Sequence, residues 1–275
     1  VSMSAMHTSN LTQEMLVRMF AAGKRFDGRK LLEMRDFTIE HDVSYKAEGS
    51  ARVRLGKTEV VVGVKLGVGT PYPDSMDSGN LMVSGDLLPM ASPRFESGPP
   101  KYNSLELTRL VERAIRESHV IDLKKLVITE GEKVWTVMID VYPINDDGNL
   151  IDAASIAAVA ALMNAHIPNL DKDGRIDYET KSTKKLPLTE GTIPLSITFF
   201  KLGDSLIVDP VREEEEACEG KIVWGLSNWK GKEHMIHSCQ KGLEVALSKE
   251  DIEFMMQHLP KLYDDTLKKL KKFLK

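Results

Sequence analysis

Cysteine is nearly missing from this 275-residue chain: only Cys218 and Cys239 occur. Two cysteines make no disulfide framework, so a reducing, cytoplasmic setting is expected. Long apolar runs are missing as well. No stretch approaches the roughly 20 apolar residues that a membrane-spanning helix needs, so no membrane partner is expected. The segment Val1 to His7 has neither a charged leader nor an apolar core, and reads as no secretory signal. An excess of positive charge is also lacking, since the formal net charge is -4. A nucleic-acid ligand would therefore need a local patch or partner subunits. No P-loop or GxSxG motif occurs. Gly67-Val68-Gly69-Thr70 lacks the third glycine and following helix of a dinucleotide site, so no cofactor is expected. His234, His237 and Cys239 are close in sequence. On a strand, however, His-x-x-His turns its two rings to opposite faces, and no metal is expected. Asp171-Lys172-Asp173-Gly174 lacks the later ligands of a calcium loop and reads as a plain turn.

What is present alternates between strands and helices. Leu11, Met15, Leu16, Met19 and Phe20 have helical spacing over residues 10–23, with Gly23 at the exit. Period-two and β-branched runs at Ser50–Leu55 and Glu59–Leu66 predict two strands, the second well covered. Leu81–Leu88, Leu126–Ile128 and Trp135–Tyr142 predict three more, the last of them central. Asp152–Ala165 is apolar on nearly every side and predicts a buried, alanine-rich helix, with Asp152 as its N-cap. Strands are expected again at Ile193–Phe200, Ser205–Val208, Lys221–Leu226 and Met235–Ser238. The acidic run Glu213–Glu216 reads as solvated loop. Ser248 should cap a long C-terminal helix, with Asp251 three residues on. Its lysine-rich end reads as a solvated tail. The class is α+β with two βα layers.

One helix stands apart. In Thr108–Arg116 the residues Arg109, Arg113 and Arg116 fall within about 60° of one another at helical period. Leu107, Leu110, Val111, Ala114 and Ile115 occupy the opposite side. Two readings fit. The arginines form a solvated face with Glu106, Glu112 and Glu117 as partners, or they form a track for a phosphodiester backbone, which suits the planar guanidinium fork.

The order of motifs resembles the RNase PH family. It runs from Asp27-Gly28-Arg29 through Gly49-Ser50-Ala51 and Gly56-Lys57-Thr58-Glu59-Val60 to the arginine helix, then Asp147-Gly148 before the alanine-rich helix. Gly79-Asn80-Leu81, Gly98-Pro99-Pro100, Leu186-Pro187-Leu188 and Val208-Asp209-Pro210 are similar to the non-catalytic ring subunits of archaeal exosomes. The resemblance covers roughly residues 20–260. It implies two βαβ-like modules of the RNase PH type (ribosomal S5 domain 2-like) around a buried alanine-rich helix. The expected division is an N-terminal helical extension over 1–24, a first module over 25–166, a linker over 167–188, and a second module with the C-terminal helix over 189–275.

The same resemblance implies a heterohexameric ring with a paralogous catalytic subunit, RNA-binding cap subunits, and single-stranded RNA as substrate. The family reaction is phosphorolysis from the 3′ end. Active relatives hold inorganic phosphate where a glycine turn meets the central helix, with an arginine just ahead of it. Here Ile151 stands near that arginine's place and Asp152 brings a negative charge. The catalytic acid's position falls near Glu219. A non-catalytic subunit is therefore expected, with Arg109, Arg113 and Arg116 contacting RNA. The alternative is a self-sufficient phosphorolytic 3′-exoribonuclease or nucleotidyltransferase.

Overall fold

The computed structural model describes residues 8–172, 174–177, 182–229 and 233–274. The segment Val1 to His7, Asp173 of the expected turn and Lys275 of the lysine-rich end lie outside the described residues.

Helix α1 (Asn10–Ala21) begins where the Ser9 hydroxyl accepts from the Thr12 N–H at 3.2 Å. Beyond its end Gly23 takes a φ of +68°, the left-handed exit that glycine allows. Strands β1 (Phe37–His41), β2 (Gly49–Leu55), β3 (Thr58–Gly69) and β4 (Asn80–Gly85) follow. Then come helix α2 (Tyr102–Glu117), the short β5 (Val127–Thr129) and the long β6 (Lys133–Asn145). The first sheet has the order β1-β2-β3-β6-β4, with β5 also on β6. All its pairs are antiparallel except β4 with β6. β1 was not expected, although Phe37 and Ile39 alternate with Thr38 and Glu40 as in a half-covered strand; the run is only five residues long. β3 and β6 bury one face only: Val60, Val62, Val64 and Leu66 point inward while Val61 and Lys65 are half-buried.

Helix α3 (Leu150–Met163) lies on that buried face. The rest of the chain runs through a small hairpin of β7 (Asn169–Leu170) and β8 (Ile176–Asp177), then β9 (Leu195–Leu202) and β10 (Ser205–Val208). Helix α4 (Arg212–Ala217), β11 (Gly220–Trp229), β12 (Glu233–Gly242) and helix α5 (Lys249–Leu270) complete it. The second sheet is antiparallel, ordered β10-β9-β11-β12. The Ser248–Asp251 capping box opens α5 as expected.

Every residue of α3 from Ile151 to Leu162 is buried. Its alanines let both sheets close on it, and one hydrophobic core runs from Val62 and Ile139 through Ala157 to Ile197 and Phe199. The approach is tight. A Cβ on Gly49 of β2 would lie 2.7 Å from the Ala165 Cα. The polar exceptions on α3 are joints rather than flaws. The Ser155 hydroxyl accepts from the Ser196 N–H at 3.0 Å, and Asp152 accepts from the Thr198 hydroxyl at 2.7 Å. Both tie the helix to β9.

Candidate nucleic-acid interface and anion seat

Two groups of arginines stand out, and they differ in whether the protein neutralises them. The first surrounds the start of α3. The turn Asp146–Asn149 delivers the chain to this helix. Gly148 sits at φ +82°, and a Cβ there would meet the Pro210 carbonyl at 2.5 Å, so glycine alone lets this turn rest against the β10–α4 loop. Asn149, in the left-handed region, is the N-cap residue. This corrects the expected cap: Asp152 lies inside the first turn with its side chain directed at Thr198 and Asn149. Burial pushes the Asp152 carboxyl up to about 7, against the hydrogen bonds from Thr198 and Asn149 that favour the anion.

The carboxylate at the helix start is Glu215 instead, which accepts from the Asn149 N–H at 3.0 Å. Burial, with Asp146 nearby, raises its pKa, while Arg94 opposes the rise. The acidic run is thus not a solvated loop. It forms α4, and Glu214 is fully buried. Arg25 donates to Glu214 through Nε at 3.1 Å and through Nη2, and to the Val208 carbonyl at 2.9 Å. Arg35 forks onto Asp209 with Nη2–Oδ1 at 2.7 Å and Nε–Oδ2 at 2.9 Å. Arg29 adds a bond to Asp209 Oδ2 at 3.0 Å, and Asn149 Nδ2 adds one to Oδ1 at 2.9 Å. Burial would raise the Asp209 pKa, but the Arg35 fork outweighs it and holds the carboxyl below its ordinary value. Arg94 spans Asp146 at 2.5 Å and Glu216 at 3.2 Å. Four arginines gather here, and each faces carboxylates of the same chain.

Sequence reasoning missed this assembly. Its partners are far apart in the chain, Arg25 and Glu214 by 189 positions. The available signal was Asp209, an acid wedged between the apolar run of β10 and Pro210. Glu219 stands apart from the network. It is exposed, and its carboxylate accepts from Gln13 Nε2 of α1 at 3.4 Å.

The second group is the row on α2, whose apolar face is buried as the period predicts. Arg109 is exposed and Arg113 half-buried, and neither has a hydrogen-bond or ion-pair partner among the described residues. Arg113 lies near Cys239 of β12; burial raises that thiol's pKa and the Arg113 charge opposes the rise. Arg116 pairs with Glu112 at 2.8 Å and Glu117 at 3.3 Å. Glu106 pairs with Lys221 of β11 at 2.7 Å. All three glutamates of the helix are therefore engaged elsewhere than Arg109 and Arg113.

The remaining candidates fall into separate contacts. His234 Nε2 lies 2.8 Å from Asp264, while His237 Nε2 lies 2.5 Å from the Ser227 hydroxyl. Among the described residues no group of three or more His, Cys, Asp or Glu could hold a metal, and no helix is long and apolar enough to cross a membrane.

One mixed and one antiparallel sheet around a buried helix, with an arginine-lined turn at its start, define a class. Residues 33–168 match domain 1 of the 3′ exoribonuclease family, RNase PH, and the chain belongs to that family. Within it the similarity narrows. The chain is 47% identical over 214 residues to the exosome complex component Rrp42 of Methanosarcina acetivorans, covering 78% of this chain and 77% of the relative. It is 43% identical to the Rrp42 component of Methanothermobacter thermautotrophicus, covering 88% of each. It is also similar to a chain in the solved Archaeoglobus fulgidus exosome with RNA bound to the active site. That match has a TM-score of 0.79 and 39% identity over 94% of this chain and 93% of the other.

Proposed function

We propose that this chain is a non-catalytic ring subunit of an exosome, acting in the cytoplasm. It holds single-stranded RNA by the backbone and structures the active site of a paralogous catalytic subunit, which performs the phosphorolytic cut. Its partners are that paralogue, in a heterohexameric ring, and RNA-binding cap subunits. The Rrp42 relatives and the RNA-bound exosome structure support the assignment. One contrast carries it. The arginines around the start of α3 are answered by Asp209, Glu214, Asp146 and Glu216, whereas Arg109 and Arg113 on α2 have no hydrogen-bond or ion-pair partner among the described residues.

A helix N-terminus flanked by arginines is where an inorganic phosphate would settle. Here Glu215 occupies the Asn149 N–H and Asp209 occupies the Arg35 fork. A phosphate would have to displace two carboxylates that are already desolvated and hydrogen-bonded. The open cations on α2 have no such competitor. Arginine–phosphate contacts of this kind position a strand without reading its bases. Arg116 completes the row, its charge partly answered by Glu112 and Glu117.

Two measurements test the reading. The purified chain, given poly(A) and inorganic phosphate, should release no ADP. In the reconstituted ring, Arg109→Ala and Arg113→Ala should each flatten the dependence of log affinity on log salt by about 0.7. ADP release by the chain alone would favour the self-sufficient phosphorolytic enzyme. Normal affinity and degradation with both residues changed to Glu would end the RNA role of α2.

A further inference from the structure

We propose that Tyr102, the first residue of α2, is a stacking platform for a base of the single strand whose phosphates Arg109 and Arg113 hold. The proposal rests on the RNA reading of those two arginines.

Tyr102 is 71% exposed. The buried face of α2 is built by Leu107, Leu110, Val111, Ala114 and Ile115, and Tyr102 lies on the other side of the helix. Its hydroxyl has no hydrogen-bond partner among the described residues. The fold therefore makes no visible use of this ring. Its placement relative to the arginines is regular. Seven residues separate Tyr102 from Arg109, which is about 20° around the helix and about 10.5 Å along it. Arg113 follows about 6 Å further, within about 40° of Arg109. An aromatic ring and two unpaired guanidinium groups thus lie along one line of one helix.

That combination is the chemistry that single-stranded nucleic acid needs: cations that follow the backbone, and a flat apolar surface for an unstacked base. Nearby acids are already engaged, Glu96 with Lys101 and Glu106 with Lys221. A protein contact is the less fitting occupant. The exposed apolar side chains here, Tyr102 and Leu105 with Pro99 and Pro100 before them, are interspersed with Lys101, Asn103 and Arg109 rather than forming the contiguous apolar patch that marks protein docking. Stacking on Tyr102 would carry no strong base preference, since every base offers a π-face.

The test uses the reconstituted ring and a labelled ten-residue oligo(A), with affinity read by anisotropy across a salt series. Tyr102→Ala should weaken binding by about 5- to 150-fold, the range for loss of one base–aromatic stack, with the salt slope unchanged. Tyr102→Phe should bind as the unaltered protein does. A ribose-phosphate decamer without bases should not distinguish Tyr102→Ala from the unaltered protein. If Tyr102→Ala binds oligo(A) normally while Arg109→Ala does not, the stacking role is wrong and the arginine track stands. If neither substitution matters, both are wrong. If Tyr102→Ala lowers the mass of the assembly, Tyr102 is a subunit contact and the proposal is overturned.

Discussion

Asp152 makes a sharp prediction about pH. It is fully buried in the middle of the fold, where its carboxyl is pushed up to about 7 from 3.8. The folded protein therefore keeps a proton that the unfolded chain releases between those values. Unfolding then releases that proton, so the contribution of Asp152 to stability is complete below about pH 4 and declines as pH rises to 7. The full decline is about 4 kcal/mol, at about 1.4 kcal/mol for each pH unit. Asp152→Asn removes the titration and keeps the contacts. The amide oxygen can accept from the Thr198 and Asn149 N–H groups, and the amide nitrogen can donate to the Thr198 hydroxyl, which lies 2.7 Å from the present oxygen. Urea unfolding of both proteins at pH 5, 6, 7 and 8 gives the comparison. The stability of Asp152→Asn relative to the parent should rise by about 3 kcal/mol across that range. Asp209, whose pKa is lowered, works in the other direction and at lower pH, and it is common to both proteins. A difference that stays flat from pH 5 to 8 would show that Asp152 is ionised throughout and that burial does not control it.

Arg25→Met should destabilise the protein by about 3–5 kcal/mol, because it leaves the fully buried Glu214 charge alone. Adding Glu214→Leu should restore much of the melting temperature, and no restoration would mean that the pair is not the reason for the loss. Gly148→Ala should cost more than about 1 kcal/mol, from the left-handed backbone and the clash with the Pro210 carbonyl. Hydrogen exchange should then show the β10–α4 loop opening first; uniform exchange would refute the local explanation.

The parts of the fold visible in the sequence are those set by local periodicity. The alanine run of α3 announces a buried helix because no polar face is available to meet water. The arginine row of α2 is visible because leucine and valine recur opposite it. What was hidden depends on contacts between distant segments. β1 pairs with β2 in full register, yet its alternation of Phe37 and Ile39 with Thr38 and Glu40 spans too few residues to stand out without that partner. Asp152 has the identity and position of a helix cap, and only the arrival of Thr198 on β9 turns it inward. Which arginines of α2 are free was equally hidden. Arg116 is taken by Glu112 one turn back, whereas Glu106 is drawn away to Lys221 on a different sheet.

The acidic run Glu213–Glu216 was the least legible element, and the reason bears on function. Read alone, four successive carboxylates belong in water. In the fold Glu213 stays exposed beside Arg212, while Glu214, Glu216 and Glu215 face Arg25, Arg94 and the N-terminus of α3, so each buried charge meets a partner that offsets its cost. A cluster of arginines inside a protein needs anions. An active phosphorolytic site can take part of that charge from its substrate. Where no phosphate binds, the protein must supply the anions itself, and here Asp209, Glu214, Asp146 and Glu216 answer the four arginines. On that ground Glu215 and Asp209 separate the two readings of this chain more sharply than Ile151 does. Their carboxylates are placed against the donors a phosphate would use, whereas Ile151 marks only a donor that is not there.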